Sequence, residues 1–152
     1  MAGVLPERVE EVDLGVLWNP IGDPLLIQHL YRGALVVRPH PDDADQRLVG
    51  ITIEGCHGVV VGPPNDEARI GHRLDVAGLA DCAWSGEVFN SRWIEAIIRT
   101  NSLHPSHAPE MFADLRHWIL LFKETTAECI GAKLVVNRIA EIGELPGGLP
   151  VP

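Results

Sequence analysis

The chain has 152 residues, 46% of them hydrophobic and 22% charged, an apolar content well above that of disordered chains. A length near this buries a sizeable core without disulfide or metal staples. Twelve Lys and Arg against 21 Asp and Glu leave a formal charge of -9, a field that repels nucleic-acid phosphates and anionic lipid and favours a basic partner or a cationic substrate.

The start, Met1 to Arg8, has no basic segment followed by an apolar core, and no apolar run approaches the roughly 18 residues of a membrane span. Cys56, Cys82 and Cys129 are odd in number and fit neither CxxC zinc spacing nor a disulfide framework. Together these features predict a cytoplasmic protein in a reducing compartment, with no membrane and no nucleic-acid partner.

In chain order, Asp23 before Pro24 reads as an N-cap with proline at the first helical position. Leu25, Leu26, His29 and Leu30 then share a face, and Gly33 ends a short helix. Residues 33–38, 47–54 and 57–61 are β-branched runs and predict strands. Gly55-Cys56 fits the centre of a type II′ hairpin between the last two, placing Glu54 opposite His57. A non-periodic loop over 63–74 precedes a strand at 84–89. A second helix starts at Asn90 or Ser91, with Trp93, Ile94, Ile97 and Ile98 on one stripe and Glu95 and Arg99 outside.

Residues 115–122 and 127–136 predict a closing hairpin interior to the sheet. Trp118, Leu120 and Phe122 should face one core together with Ile130, Leu134 and Val136. Both faces of the first strand are apolar, so helix two should cover one face and another sheet layer or a second subunit the other; a homodimer is one expected assembly. The expected fold is α+β: a mostly antiparallel β-sheet, sandwich or partly open barrel, of six or seven strands with two short helices. Residues 1–142 form one globular domain, and the Pro- and Gly-rich 143–152 a flexible tail.

The densest polar chemistry lies in the 63–74 loop. Asn65, Asp66, Glu67, Arg69 and His72, with His57, are the expected binding residues, the five loop residues drawn into one hydrogen-bond network. Asp66 and Glu67 are the candidate bases, and His72 the group able to donate a proton or steady an anion. The same residues also read as a capped turn, with Arg69 paired to Asp66 or Glu67. His57, His72, His104 and His107 are the available metal ligands, but their spacing fits no common motif, and neither metal nor cofactor is expected. Cys56 beside His57 points to the opposite face of a strand. Trp93 and Trp118 are expected in the core and Trp18 on a partner surface.

Gly62-Pro63-Pro64-Asn65-Asp66-Glu67, Gly71-His72, Gly78-Leu79, Glu87-Val88-Phe89-Asn90-Ser91-Arg92-Trp93-Ile94, His104-Pro105, Leu115-Arg116-His117-Trp118-Ile119, Phe122-Lys123-Glu124 and Glu128-Cys129 follow one another over about residues 55–129. This pattern resembles a widespread family of small uncharacterised bacterial proteins. The resemblance implies a bacterial cytosolic origin and transfers no catalytic residue. Two functions are therefore expected from the side chains: an acidic binding or interaction module that holds a small molecule or neutralises a basic partner, as a toxin-neutralising immunity protein does, or a small metabolic or biosynthetic enzyme with an acid–base site in the 63–74 loop.

Overall fold

The computed structural model describes residues 5–145. In chain order the elements are β1 (Arg8–Glu11), β2 (Leu25–His29), β3 (Tyr31–Val37), β4 (Leu48–Cys56), β5 (Gly58–Gly62), β6 (Ser85–Phe89), α1 (Arg92–Asn101), β7 (Arg116–Leu121), β8 (Thr126–Gly131) and β9 (Lys133–Ile139). Three short 3-10 turns, Arg69–Gly71, Asp75–Ala77 and Leu79–Asp81, lie between β5 and β6. The fold is β-rich α+β. Among the described residues there are nine strands rather than six or seven, and one α-helix rather than two. They form a five-stranded antiparallel sheet, β1-β6-β7-β8-β5, and a four-stranded one, β2-β3-β4-β9, which do not close into a barrel.

The expected hairpin at Gly55-Cys56 is instead a corner. Gly55 does take a positive φ of 61°, but β4 pairs with β9 in one sheet while β5 pairs with β8 in the other, so Glu54 and His57 are not opposed. β8 and β9, expected as a single strand, turn the same corner beside them. His57 N–H donates to the Ile130 carbonyl at 2.8 Å and Ala132 N–H to the Glu54 carbonyl at 2.8 Å, so the pairing carries across the bend. Gly131 makes the bend close: a Cβ there would lie 2.4 Å from Ile53 Cγ2 and 2.8 Å from the Glu54 carbonyl oxygen. Gly131→Ala should therefore cost about 1–3 kcal/mol by overpacking, read as a lowered urea midpoint at unchanged slope.

The first expected helix is the β2–β3 hairpin. Leu26 packs into the core between the sheets and Ile27 against the opposite face, a period of two that the short apolar run permits as readily as a helical one. The neighbouring β-branched run of β3 decides the matter by pairing with it, His29 opposite Arg32, and Gly33 becomes a strand residue. Leu30 and Tyr31 form the hairpin tip, with Tyr31 at φ 58°.

The core fills the space between the sheets: Leu35, Val49, Ile51 and Ile53 from one, Trp118, Leu120 and Cys129 from the other. Trp18, expected on a partner surface, is wholly buried here; its Nε1–H donates to the Leu121 carbonyl at 3.0 Å and its ring packs on Trp84 and Phe122. Leu134 and Val136 face this core as expected. Ile130 does not, because it stands opposite His117 on the outer face.

On that outer face Ile119 and Leu121 are covered by Leu74 and Leu79 of the 3-10 segment together with Val9 and Val88. The chain's own elements thus cover both faces of β7. A third cluster, Ala34, Val36 and Ile139, seats Leu145 on the back of the four-stranded sheet. Ile142–Glu144 is a 3-10 turn, so the first residues of the expected tail pack on the body, and residues 146–152 lie outside the described residues.

Helix α1 starts where the sequence places it. Ser91 Oγ accepts the Ile94 N–H at 3.2 Å, an N-cap that satisfies one of the first-turn donors. Its apolar stripe lies on the outer face near the corner, where Trp93 sits edge-on to His117 with ring centroids 5.5 Å apart. Gly58 leaves room for this: a Cβ there would come within 2.8 Å of the Trp93 ring.

Candidate functional site

The 63–74 loop folds as a series of capped turns. Asn65 Oδ1 accepts the Ala68 N–H at 3.0 Å, and Asp66 N–H donates to the Lys123 carbonyl at 2.8 Å. Glu67 is exposed, and among the described residues its carboxylate has neither a hydrogen-bond nor an ion-pair partner. Of the five loop residues expected in one network, His72 alone enters one, and its partners lie outside the expected set. Its Nδ1 accepts the Leu74 N–H at 3.1 Å, which assigns the proton to Nε2, 3.2 Å from Glu128 Oε1. Asp66 and Arg69 line a separate small pocket with Lys123.

Glu128, on β8, is the hub that sequence reasoning missed. Arg73 donates to both its oxygens at 2.8 Å, and His117 Nε2 lies 2.8 Å from Oε2. His117 Nδ1 in turn lies 2.8 Å from Ser91 Oγ. One proton assignment satisfies every group: Ile94 N–H to Ser91 Oγ, Ser91 O–H to His117 Nδ1, His117 Nε2–H to Glu128. Burial alone would raise the Glu128 pKa, but the hydrogen bonds from His117 and Arg73 and the Arg73 charge outweigh it and hold the carboxyl at about 2.

The chain Ser91–His117–Glu128 has the residue types of a hydrolytic triad without its accessibility. His117 has no exposed surface, Ser91 is buried, and the Ser91 hydroxyl is engaged on both sides, by Ile94 and by His117. The arrangement ties together β7, β8, the start of α1 and the 3-10 segment. Arg73 and Glu128 gave no signal in the sequence beyond their charge, because β8 and the loop are 55 residues apart and only the fold joins them.

The larger concave site lies beside the corner. Tyr31, His57, Trp93, Ile97, Met111 and Phe112, with the 100–105 turn, enclose a cleft of about 870 Å³ without a single charged side chain in its lining. His57 is held there by a 2.9 Å hydrogen bond between Nδ1 and the Gly55 carbonyl, which leaves Nε2 as an acceptor. Its ring lies 5.6 Å from Tyr31 and 5.9 Å from Phe112. His107 stacks on Phe112 and is fixed through Nδ1 to Asn101 Oδ1 at 2.8 Å.

The rim is unusually apolar for an exposed surface: Leu103 is 86% exposed, Met111 67% and Tyr31 59%. Of the binding residues expected from sequence, this cleft contains His57 alone. Tyr31 was hidden by the helical reading of residues 25–30, and Phe112 and Met111 by a Pro-broken segment with no period.

His57 and His104 line the cleft, His107 sits behind Phe112, and His72 is on Glu128, so the four candidate ligands do not converge. Among the described residues no group of three or more His, Cys, Asp or Glu is placed to hold a metal ion. Cys56, Cys82 and Cys129 are free and buried, and burial raises the pKa of each thiol, against a nucleophilic role. Among the described residues no helix is long and apolar enough to cross a membrane. Comparison of the chain with family models, with curated proteins and with solved structures finds no match.

Proposed function

We propose that the protein is an acidic interaction module whose corner cleft seats an apolar anchor of a basic partner protein. The observation that carries this reading is the uncharged, aromatic-floored cleft ringed by exposed Leu103, Met111 and Tyr31. Aromatic and methionine side chains around a desolvated pocket are the composition of interface hot spots, and a rim this exposed suits a protein surface better than an engulfed metabolite. The net charge of -9 adds long-range attraction for a basic partner without placing a charge in the cleft itself. The acid–base enzyme reading has less support, since Asp66 and Glu67 share no hydrogen bond with His72, and His72 is held by Glu128.

The test uses model anchors. A Lys-Lys-Trp-Lys-Lys peptide should perturb the His57 and Trp93 resonances saturably, and a Glu-Glu-Trp-Glu-Glu peptide should bind at least about tenfold more weakly. Met111→Ser, which removes the exposed apolar rim without changing the charge, should weaken the basic peptide by about tenfold with the fold intact. Equal binding of both peptides to Met111→Ser and to the unaltered protein would remove the cleft from consideration.

A further inference from the structure

A second site, sharing no lining residue with the cleft, lies where the 63–74 loop meets the β7–β8 turn. Asp66, Arg69 and Lys123 line a pocket of about 210 Å³ whose apolar wall includes Trp84 and Phe122. Backbone hydrogen bonds fix the frame: Asp66 N–H to the Lys123 carbonyl at 2.8 Å, and Lys123 N–H to the Pro20 carbonyl at 2.9 Å.

Arg69 is unusual for one atom rather than for lacking an ion pair: among the described residues Arg8, Arg47, Arg73, Arg116 and Arg138 pair with carboxylates and Arg38, Arg92 and Arg99 do not, but only the Arg69 guanidinium holds a donor that is both shielded and unpartnered. Arg69 pairs with neither Asp66 nor Glu67, although both are within three residues of it, and its Nε is shielded from solvent without a hydrogen-bond partner. A buried donor left without a partner is rare, because it loses its hydration and gains nothing in return. Among the described residues Asp66 and Lys123 likewise form no ion pair. The pocket therefore presents two cations and one carboxylate, none neutralised by another described residue.

We propose that this pocket binds a small zwitterionic amino carboxylate. The ligand's carboxylate meets the Arg69 guanidinium and the Lys123 ammonium, its ammonium meets Asp66, and its side chain lies against Trp84 and Phe122. A guanidinium matches a carboxylate by paired donors, which Nε–H and a terminal N–H supply together. A ligand bearing both signs answers all three charges, whereas inorganic phosphate would set its charge against Asp66 and the chain's negative field. The volume suits a molecule of amino-acid size.

The experiment follows the Trp84 indole N–H resonance, assigned through Trp84→Phe, while L-leucine, isocaproate (leucine without its amine) and isoamylamine (leucine without its carboxylate) are titrated separately. Leucine should shift the resonance saturably and bind at least about tenfold more tightly than either half. Arg69→Gln should weaken leucine binding about tenfold, and Asp66→Asn, at an exposed side chain, should abolish the preference for leucine over isocaproate. No saturable shift with leucine, undiminished binding in Arg69→Gln, an unchanged preference in Asp66→Asn, or tighter binding of inorganic phosphate than of leucine would each overturn the proposal.

Discussion

Trp118→Ala should lower the stability of this protein by about 3–5 kcal/mol, a large part of the roughly 5–15 kcal/mol that holds a domain of this size. Trp118 is almost fully buried in the middle of the five-stranded sheet, opposite Cys129 on β8 and Glu87 on β6. Its ring projects between the two sheets into the cluster of Leu35, Val49, Ile51 and Ile53, strand residues that hold their places by sheet pairing when the ring is removed. The Arg116 guanidinium, 5.3 Å from the ring, adds a cation–π contact that the truncation also removes. Trp118→Phe retains an aromatic ring in the cluster and should lose less than the alanine variant. Urea denaturation reads both. A midpoint that hardly moves in Trp118→Ala would mean that the ring is not packed between the sheets.

How much of this architecture the sequence reveals depends on whether an element's partner is nearby in the chain. The β7–β8 hairpin was legible because two apolar runs flank the polar turn Lys123-Glu124-Thr125-Thr126, and both strands lie within a single short stretch. Helix α1 was legible because its stripe and its Ser91 cap coincide. The β2 strand was not, since residues 25–30 satisfy a helical and an extended period equally and only pairing with β3 selects between them. The corner was half legible: glycine at 55 signals a positive φ but not whether the chain reverses or passes into a second sheet. Trp18 reads as an outlying aromatic near the N-terminus, and becomes core only because Leu121, 103 residues later, offers its carbonyl.

The candidate sites divide in the same way. Asp66 and Arg69 were recognised by local density and do share a pocket, yet the third charge, Lys123, comes from the distant β7–β8 turn. The cleft draws on the β2–β3 tip, the corner, α1 and the 104–112 segment, four regions without a common motif. Density of polar residues located a loop; only the fold could assemble the apolar floor.

Glu128→Gln should remove a component of stability that depends on pH in a defined window. The folded-state pKa of Glu128 is about 2, against an ordinary value of 4.5, so the folded protein holds the carboxylate more tightly than the unfolded chain does. A carboxyl depressed in this way stabilises the fold fully above its unfolded pKa, and that contribution is lost as pH falls from about 4.5 to about 2. The shift corresponds to about 3 kcal/mol, and it is available because the hydrogen bonds and charges of His117 and Arg73 outweigh the cost of shielding the group. Near neutral pH, Glu128→Gln should therefore be less stable than the unaltered protein by a few kcal/mol: the amide cannot accept at both positions, and the wholly buried His117 loses a charged partner. Near pH 3 the gap should narrow, while acid-labile pairs common to both proteins, such as Asp43 with Arg138, cancel in the difference. Urea titrations of the two proteins at about pH 7 and about pH 3 measure that difference directly. A gap that stays constant between the two would show that the Glu128 carboxylate is no more stable in the fold than in the unfolded chain, and that the junction of β7, β8 and α1 is held by packing of Trp93, His117 and Ile130 alone.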